Sequence, residues 1–133
     1  MKILEKYLPV PYLDEGRTMK GLDCWGLVLA LRDELDFPRL PDIGSVTRHT
    51  VQEMQHQFKA VSYTLERVER PSVGSIAAVF RASVFIHVGL VVEIDGRLAV
   101  IETNEKTGVR WMYLERFLSV YYKVAFYRDR SFS

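Results

Sequence analysis

The 133-residue sequence contains a single cysteine, and this scarcity excludes two kinds of protein. One cysteine allows neither an intramolecular disulfide framework nor a zinc site built from several cysteines. An excess of charge of one sign is also missing, because 18 Lys and Arg residues face 17 Asp and Glu residues, for a formal net charge of +1. Nucleic-acid-binding proteins usually carry a basic excess, so we expect no nucleic-acid partner.

Long apolar runs are missing as well. The longest mostly apolar stretch, residues 84–92, includes His87 and is far shorter than the roughly 20 residues of a membrane helix. The first ten residues include Lys2, Glu5 and Lys6, so they lack the uninterrupted apolar core of a signal peptide. We therefore expect no membrane partner and synthesis in the cytoplasm.

The composition is typical of a folded protein. Hydrophobic residues make up 48% of the chain and charged residues 26%, close to the averages for globular proteins. A chain of 133 residues has the usual length of one domain with one core. With no internal repeat, low-complexity segment or linker in the sequence, we predict a single domain over residues 1–133.

Apolar residues recur at helical spacing in the first half of the chain. The strongest pattern predicts a helix over residues 24–35, with Asp23 as a favourable N-cap. Its apolar residues cover almost the whole circumference, which is typical of a buried helix. Thr50 and Glu53 have the spacing of a capping box, and we predict a second, surface helix over residues 50–59.

The second half of the chain has the pattern of strands. Residues 84–92 form a continuous β-branched and aromatic run, and the Asp95-Gly96 turn predicts an antiparallel partner strand at residues 97–103. Further strands are predicted at residues 75–80, 108–112 and 120–127, a short helix at 114–118, and residues 60–70 fit neither pattern. Helices first and strands later favour an α+β fold, with the Cys24 helix packed on a central antiparallel sheet.

Cys24 lies in the first turn of the predicted buried helix. The N–H groups of a first turn are unpaired and the helix field there is positive, so the sequence predicts a favoured thiolate. A thiolate is the form that attacks a carbonyl carbon. Gly26 keeps the neighbouring helix surface low, which would leave room for another chain or strand. The competing interpretation is that Cys24 is a small buried hydrophobe, as lone cysteines usually are.

His87 is the second candidate for chemistry. On a strand it shares one face with Phe85, Gly89 and Val91, and Gly89 leaves space beside the imidazole for a helix or a substrate. A core histidine that hydrogen-bonds to backbone is the simpler interpretation, because an unpartnered one is costly. The coincidence of one cysteine and one strand histidine leads us to predict a thiolate–imidazolium pair of Cys24 and His87.

A third group should orient the imidazole. Glu102 ends an apolar run on the strand beside His87, and Asn104 is the alternative. A carboxylate bonded to the far ring nitrogen would fix the tautomer and stabilise imidazolium, although Glu102 fits an ordinary strand-end charge equally well. Tyr12 precedes Cys24 by twelve residues, and its phenol could donate a hydrogen bond to a tetrahedral oxyanion.

The two remaining histidines predict no metal site. On a helix His49 and His56 would lie two turns apart, roughly 10 Å, which is too far for both to bind one ion. A solvated helix face explains them better. We therefore predict no metal and no other cofactor.

Together these elements resemble the NlpC-type cysteine peptidases, small papain-like enzymes that cut the peptides of bacterial cell-wall murein. The motifs that match are Tyr12, residues 21–28, residues 71–75 and residues 87–91. Trp25 directly after the cysteine, with residues 31–35 and the Leu40-Pro41 pair, resembles the branch found in phage and prophage tail proteins. The resemblance covers roughly residues 8–128.

The resemblance implies a papain-like fold and a cysteine peptidase that hydrolyses an amide bond through an acyl-enzyme. It implies that Cys24 is the nucleophile and His87 the general base and then acid, with Tyr12 assisting the oxyanion beside the Cys24 N–H. It also implies a murein peptide substrate, other tail proteins as partners, and incorporation into a virion tail. The residues assigned to substrate binding adjoin these groups: Asp23, Trp25, Gly89 and Asn104.

Three positions depart from the family pattern. Ser75 stands where the family usually has Asp, and residues 13–15 replace a glycine pair after Tyr12. At the third catalytic position, where the family usually has His, Asn or Gln, the nearest polar match is Glu102, with Asn104 as the alternative. A second interpretation is therefore a catalytically inactive tail-assembly or tail-tip protein with the same fold. A third is an acyltransferase or amidase that uses the same Cys–His pair, since a fold does not determine a substrate.

Overall fold

The computed structural model describes residues 2–43 and 51–130. The helices in these ranges are α1 (Lys2–Tyr7), α2 (Cys24–Glu34), α3 (Val51–Ser62) and α4 (Leu114–Val120). The strands are β1 (Arg17–Thr18), β2 (Gly21–Leu22), β3 (Leu65–Val68), β4 (Ile76–Arg81), β5 (Val84–Ile94), β6 (Arg97–Asn104), β7 (Gly108–Tyr113) and β8 (Lys123–Asp129). No helix in the described ranges is long and apolar enough to cross a membrane.

Six strands form one antiparallel sheet in the order β3-β8-β4-β5-β6-β7. The short strands β1 and β2 form a separate hairpin. Helices α2 and α3 pack against β5 on one face, and α4 covers the other face. The α+β architecture, with the cysteine helix on a central antiparallel sheet, is confirmed.

Helix α2 forms where the sequence predicts it and is buried on nearly all sides. The Asp23 carboxylate caps its first turn by accepting a hydrogen bond from the Gly26 N–H at 2.8 Å. Leu27, Val28 and Leu31 are completely buried against the sheet. At about 25 cal/mol per Å² of apolar surface removed from water, each such side chain stabilises the fold by about 2 kcal/mol. The position of Cys24 is therefore set by the core.

Several elements differ from the prediction. Helix α3 continues to Ser62, and β3 then occupies part of residues 60–70 by pairing with β8. Helix α1 was not predicted, although Ile3, Leu4 and Tyr7 form its buried side. Strand β8 begins only at Lys123, because α4 continues to Val120. Thr50, and with it the predicted capping box, lies outside the described residues.

Strand β5 contains an irregularity that changes the face of one aromatic residue. Val79 pairs with His87 but Phe80 pairs with Phe85, so Ile86 is an extra, bulged residue. Phe85 consequently packs in the larger core under α2 and α3, whereas Val91 belongs to the smaller core under α4. The prediction that Phe85 shares a face with His87 is wrong, because the bulge shifts the alternation by one residue.

Candidate active site

The Cys24 thiol is buried, with 1% of the residue exposed, at the first residue of α2. Its sulfur accepts hydrogen bonds from the backbone N–H groups of Val88 and Trp25. Val88 directly follows His87 on β5, so the sulfur contacts the strand one residue from the imidazole. Within the described part of the chain, no hydrogen bond joins the sulfur to the His87 ring, so the predicted ion pair of Cys24 and His87 is not formed in the resting structure.

The protonation state of Cys24 differs from the prediction. Burial, and then the charge of Asp23, raise the pKa of the Cys24 thiol to about 12. The N–H groups of Val88 and Trp25 and the charge of Arg17 act in the opposite direction without offsetting this rise. The predicted thiolate is therefore wrong for the resting structure, because the loss of water outweighs the favourable field of the helix.

Asp23 holds the N-terminal segment against the start of α2. Besides the Gly26 N–H, its completely buried carboxylate accepts hydrogen bonds from Arg17 Nη1 at 2.6 Å and from the Glu15 N–H at 3.2 Å. Arg17 also forms an ion pair with Asp42 at 2.9 Å. These contacts engage both oxygens of Asp23, and the substrate-binding role assigned to it does not fit its burial.

The space predicted above Gly26 is occupied by another segment of this chain. A Cβ atom at Gly26 would lie 2.2 Å from the carbonyl oxygen of Gly16, which precedes β1. The low helix surface thus admits a loop of the same chain, which Asp23 holds in place, and neither another chain nor a strand.

Trp25 and Gly89 also have neighbours other than a substrate. The Trp25 side chain is 1% exposed as a residue and donates its Nε1–H to the Pro41 carbonyl at 3.0 Å. A Cβ at Gly89 would lie 2.6 Å from Val100 Cγ1 and 3.0 Å from the Ile101 carbonyl oxygen. Strand β6, and neither a helix nor a substrate, fills that space, so the substrate-binding roles assigned to Trp25 and Gly89 do not fit the structure.

His87 and Glu102 form a buried pair. The His87 Nε2 atom lies 2.6 Å from Glu102 Oε1, with 8% of His87 and none of Glu102 exposed. The Asn104 side chain instead accepts the N–H groups of Lys106 and Thr107 in the β6–β7 turn, at 2.9 and 3.0 Å. The structure therefore places Glu102, and not Asn104, on the far nitrogen of the imidazole, and the turn accounts for the contacts of Asn104.

Glu102 accepts hydrogen bonds from two further side chains. The Tyr121 hydroxyl donates to Oε1, and Arg110 Nε donates to Oε2 at 3.1 Å. Burial raises the pKa of Glu102, but the hydrogen bond and charge of His87, the Tyr121 hydroxyl and the Arg110 charge together hold it below its ordinary value. An ionised carboxylate can only accept, so the Nε2 atom of His87 carries the hydrogen of this bond.

Neither Arg110 nor Tyr121 was predicted as a site residue. Arg110 lies opposite Glu102 in the β6–β7 register, so the register, once known, would have identified it. Tyr121 follows α4 and reaches Glu102 from the end of that helix. Tyr121 and Glu102 are nineteen residues apart in the sequence, and no local sequence pattern predicts a contact between them.

Tyr12 lies beside the start of the cysteine element. It forms an isolated parallel bridge with Leu22, two residues before Cys24, and is half-buried. Together with Asp14, Glu105 and other residues it lines a surface groove of about 550 Å³ between the N-terminal segment and the β6–β7 turn. This groove borders the segment that leads to Cys24.

The described residues contain no group of three or more His, Cys, Asp or Glu side chains arranged to hold a metal ion. His56 lies on α3, and His49 lies outside the described residues.

Neither a protein-family model nor a curated protein matches this sequence. A solved structure does: the NlpC/p60 domain of the peptidoglycan hydrolase SagA aligns with a TM-score of 0.55, over 95% of this chain and 92% of that one. The chain has the papain-like NlpC/p60 fold. Sequence identity is 16%, so the likeness establishes the fold alone. The fold implied by the sequence motifs is confirmed.

Proposed function

We propose that this protein is a cysteine peptidase that hydrolyses an amide bond in the peptides of bacterial cell-wall murein. The observation that carries the proposal is the buried His87–Glu102 hydrogen bond beside Val88, whose N–H contacts the only thiol. A cysteine at a helix start and an imidazole oriented by a carboxylate are the groups that nucleophilic catalysis needs. The shared fold with a peptidoglycan hydrolase domain supports the substrate class.

The reaction uses the three side chains in order. His87 Nδ1 accepts the thiol proton while the sulfur of Cys24 attacks the amide carbonyl carbon, which forms a tetrahedral oxyanion. The imidazolium then gives this proton to the leaving nitrogen, the C–N bond breaks, and a thioester remains. A water molecule, deprotonated by His87, attacks the thioester and releases the new carboxyl group and the thiol. Glu102 keeps the Nε2–H in place throughout, so that Nδ1 is the nitrogen that exchanges the proton.

The raised pKa of Cys24 bears on how this reaction begins. With a pKa of about 12 the thiol is protonated near neutral pH in the resting structure. The sulfur is also shielded from solvent, so a substrate has to open the site before its carbonyl reaches Cys24. Removal of the proton therefore accompanies substrate binding and attack.

Purified protein is expected to shorten the peptides of isolated muropeptides and of intact sacculi. Mass spectrometry of the soluble products should show fragments with a new carboxyl group and a new amino group, and with intact disaccharides. A sample incubated with heat-denatured protein serves as control. Unchanged muropeptide masses after prolonged incubation with folded protein would contradict the proposal.

We further propose that the enzyme belongs to a phage or prophage tail. Trp25 and the Leu40-Pro41 pair, the motifs that resemble the tail branch, meet in the structure through the Trp25–Pro41 hydrogen bond. Particles purified after prophage induction are expected to contain the protein at a constant ratio to a tail protein, measured by quantitative mass spectrometry. Its absence from washed particles would contradict this placement.

Burial of the thiol favours a second candidate, an inactive structural protein with the same fold. Cys24 is shielded and protonated at rest. Ser75 also has a structural role, because its buried hydroxyl accepts the Ser72 N–H at 2.9 Å in the turn before β4. The Cys24 variant argued in the Discussion separates the two candidates.

A further inference from the structure

We propose that Arg110 and Tyr121 are positioning residues of the hydrolase: together they lock the Glu102 carboxylate onto His87 Nε2 and compensate its charge. The inference rests on the proposed cysteine peptidase activity and adds two residues to it. Neither side chain contacts the thiol; both act through Glu102.

The contacts form a closed ring around the carboxylate. The Tyr121 hydroxyl donates to Oε1, the oxygen that also accepts the His87 Nε2–H, while Arg110 Nε donates to Oε2 at 3.1 Å. Arg110 also donates a hydrogen bond to the Tyr121 hydroxyl. Tyr121 and Arg110 thus have two partners each and Glu102 has three, so Glu102 cannot rotate away from His87 without breaking several charge-assisted hydrogen bonds.

Tyr121 is fixed from a second direction by its ring. The ring centroid lies 4.7 Å from that of Phe117, which is completely buried, and 5.3 Å from that of His87. The hydroxyl is therefore aimed at Glu102 by core packing. The Glu102 side chain has several rotatable bonds, and these contacts restrict it to one of the conformations that it could otherwise adopt.

The charge of Arg110 also affects how firmly Glu102 holds a proton on His87. A buried carboxylate alone would hold an imidazolium so firmly that return of the proton to the leaving nitrogen is slowed. Arg110 offsets the negative charge, and His87 meets a carboxylate and guanidinium pair whose charges sum to zero. Arg110 is 37% exposed at its side chain, so solvent weakens this effect without removing it.

Removing either donor should lower turnover more than substrate binding. We expect Tyr121→Phe and Arg110→Gln each to reduce kcat about tenfold and to leave KM within about twofold, because a misaligned imidazole impairs the reaction and not the groove. The matched controls are Tyr122→Phe, one residue on and fully exposed, and Arg128→Gln, whose exposed ion pair with Glu66 is remote from the site. Both controls should keep wild-type kinetics.

The pH profile separates a positioning role from a purely structural one. Arg110→Gln removes a charge that lowers the pKa of Glu102, so the acidic limb of the kcat profile should move to higher pH. Arg110→Lys keeps the charge and should return the limb to the wild-type position. If the acidic limb of the kcat profile lies at the same pH in wild type, Arg110→Gln and Arg110→Lys, the proposed effect of the Arg110 charge is wrong.

Nitrogen NMR of the His87 ring provides a readout that needs no catalysis. Wild-type protein should show the Nε2–H tautomer, and Tyr121→Phe and Arg110→Gln should show a mixture of tautomers. An inactive wild type with these spectra would refute the hydrolase and support the clamp on Glu102. Variants that match their controls in both spectra and kinetics would overturn the clamp, whether or not the protein hydrolyses murein.

Discussion

Replacing Cys24 with serine is expected to lower kcat/KM for murein peptides at least about a thousandfold, because the hydroxyl is a far weaker nucleophile than the thiol. Serine is close to cysteine in size, and its oxygen can still accept the Val88 N–H that contacts the sulfur. The fold should therefore persist. The measurement is hydrolysis of a purified muropeptide, followed by mass spectrometry, for both proteins at equal concentration.

Two controls keep this result interpretable. The melting temperature of Cys24→Ser should stay within a few degrees of the wild type, since about 1 kcal/mol corresponds to a few degrees in a domain of this size. Iodoacetamide should label unfolded wild type once and Cys24→Ser not at all, because the chain has one cysteine.

Infectivity distinguishes the peptidase from the structural protein. If the chain only builds a tail, phage with Cys24→Ser should assemble and infect through an intact cell wall as efficiently as wild type. If it cuts murein, assembly should be normal and infection through intact wall reduced. Equal hydrolysis by both proteins would remove Cys24 from the reaction altogether.

The sequence predicted those parts of the fold that depend on local chemistry. The Asp23 cap determines where α2 begins, and the Asp95-Gly96 turn determines the β5–β6 hairpin. Both are read from neighbouring residues, since a cap or a two-residue turn is complete within four positions. His87 and Glu102 were brought together by the same hairpin.

Features set by tertiary packing could not be predicted in this way. The bulge at Ile86 leaves no mark in the alternation of an entirely apolar run, so the face of Phe85 was assigned incorrectly. The protonation state of Cys24 depends on how closely β5 covers the sulfur, which a helix cap does not reveal. Tyr121 reaches Glu102 only because α4 folds back over the sheet.

Replacing Glu102 with alanine is expected to have the largest combined effect on stability and activity. The substitution leaves the His87 Nε2–H, the Tyr121 hydroxyl and Arg110 Nε without their acceptor in a region where Glu102 is completely buried. A buried donor without a partner costs about 1–3 kcal/mol. Because Arg110 can still reach water, we expect a total loss of about 3 kcal/mol. The kcat should fall at least about a hundredfold as the tautomer is no longer fixed.

Glu115→Ala is the matched control for this variant. Glu115 also accepts a hydrogen bond from an arginine, Arg97, at the same 3.1 Å, but both side chains are more than half exposed. An exposed pair of this kind contributes only about 0.5 kcal/mol, so urea unfolding at pH 7 should separate the two variants clearly. Equal losses in both would show that the ring around Glu102 adds nothing to the stability of the fold.

The difference in unfolding free energy between wild type and Glu102→Ala should depend on pH in a direction set by the pKa shift of Glu102. Its pKa in the folded protein lies below the ordinary value of 4.5, so folding favours the carboxylate. The resulting stabilisation is fully present above pH 4.5 and is lost as the pH falls through the lower, folded-state pKa. The contribution of Glu102 to the gap in unfolding free energy between wild type and Glu102→Ala should therefore narrow as the pH falls below about 4.5. A gap that widens as the pH falls below 4.5, the ordinary pKa of the carboxyl group, would mean that Glu102 is protonated in the fold, and His87 Nε2 would then have to be the acceptor.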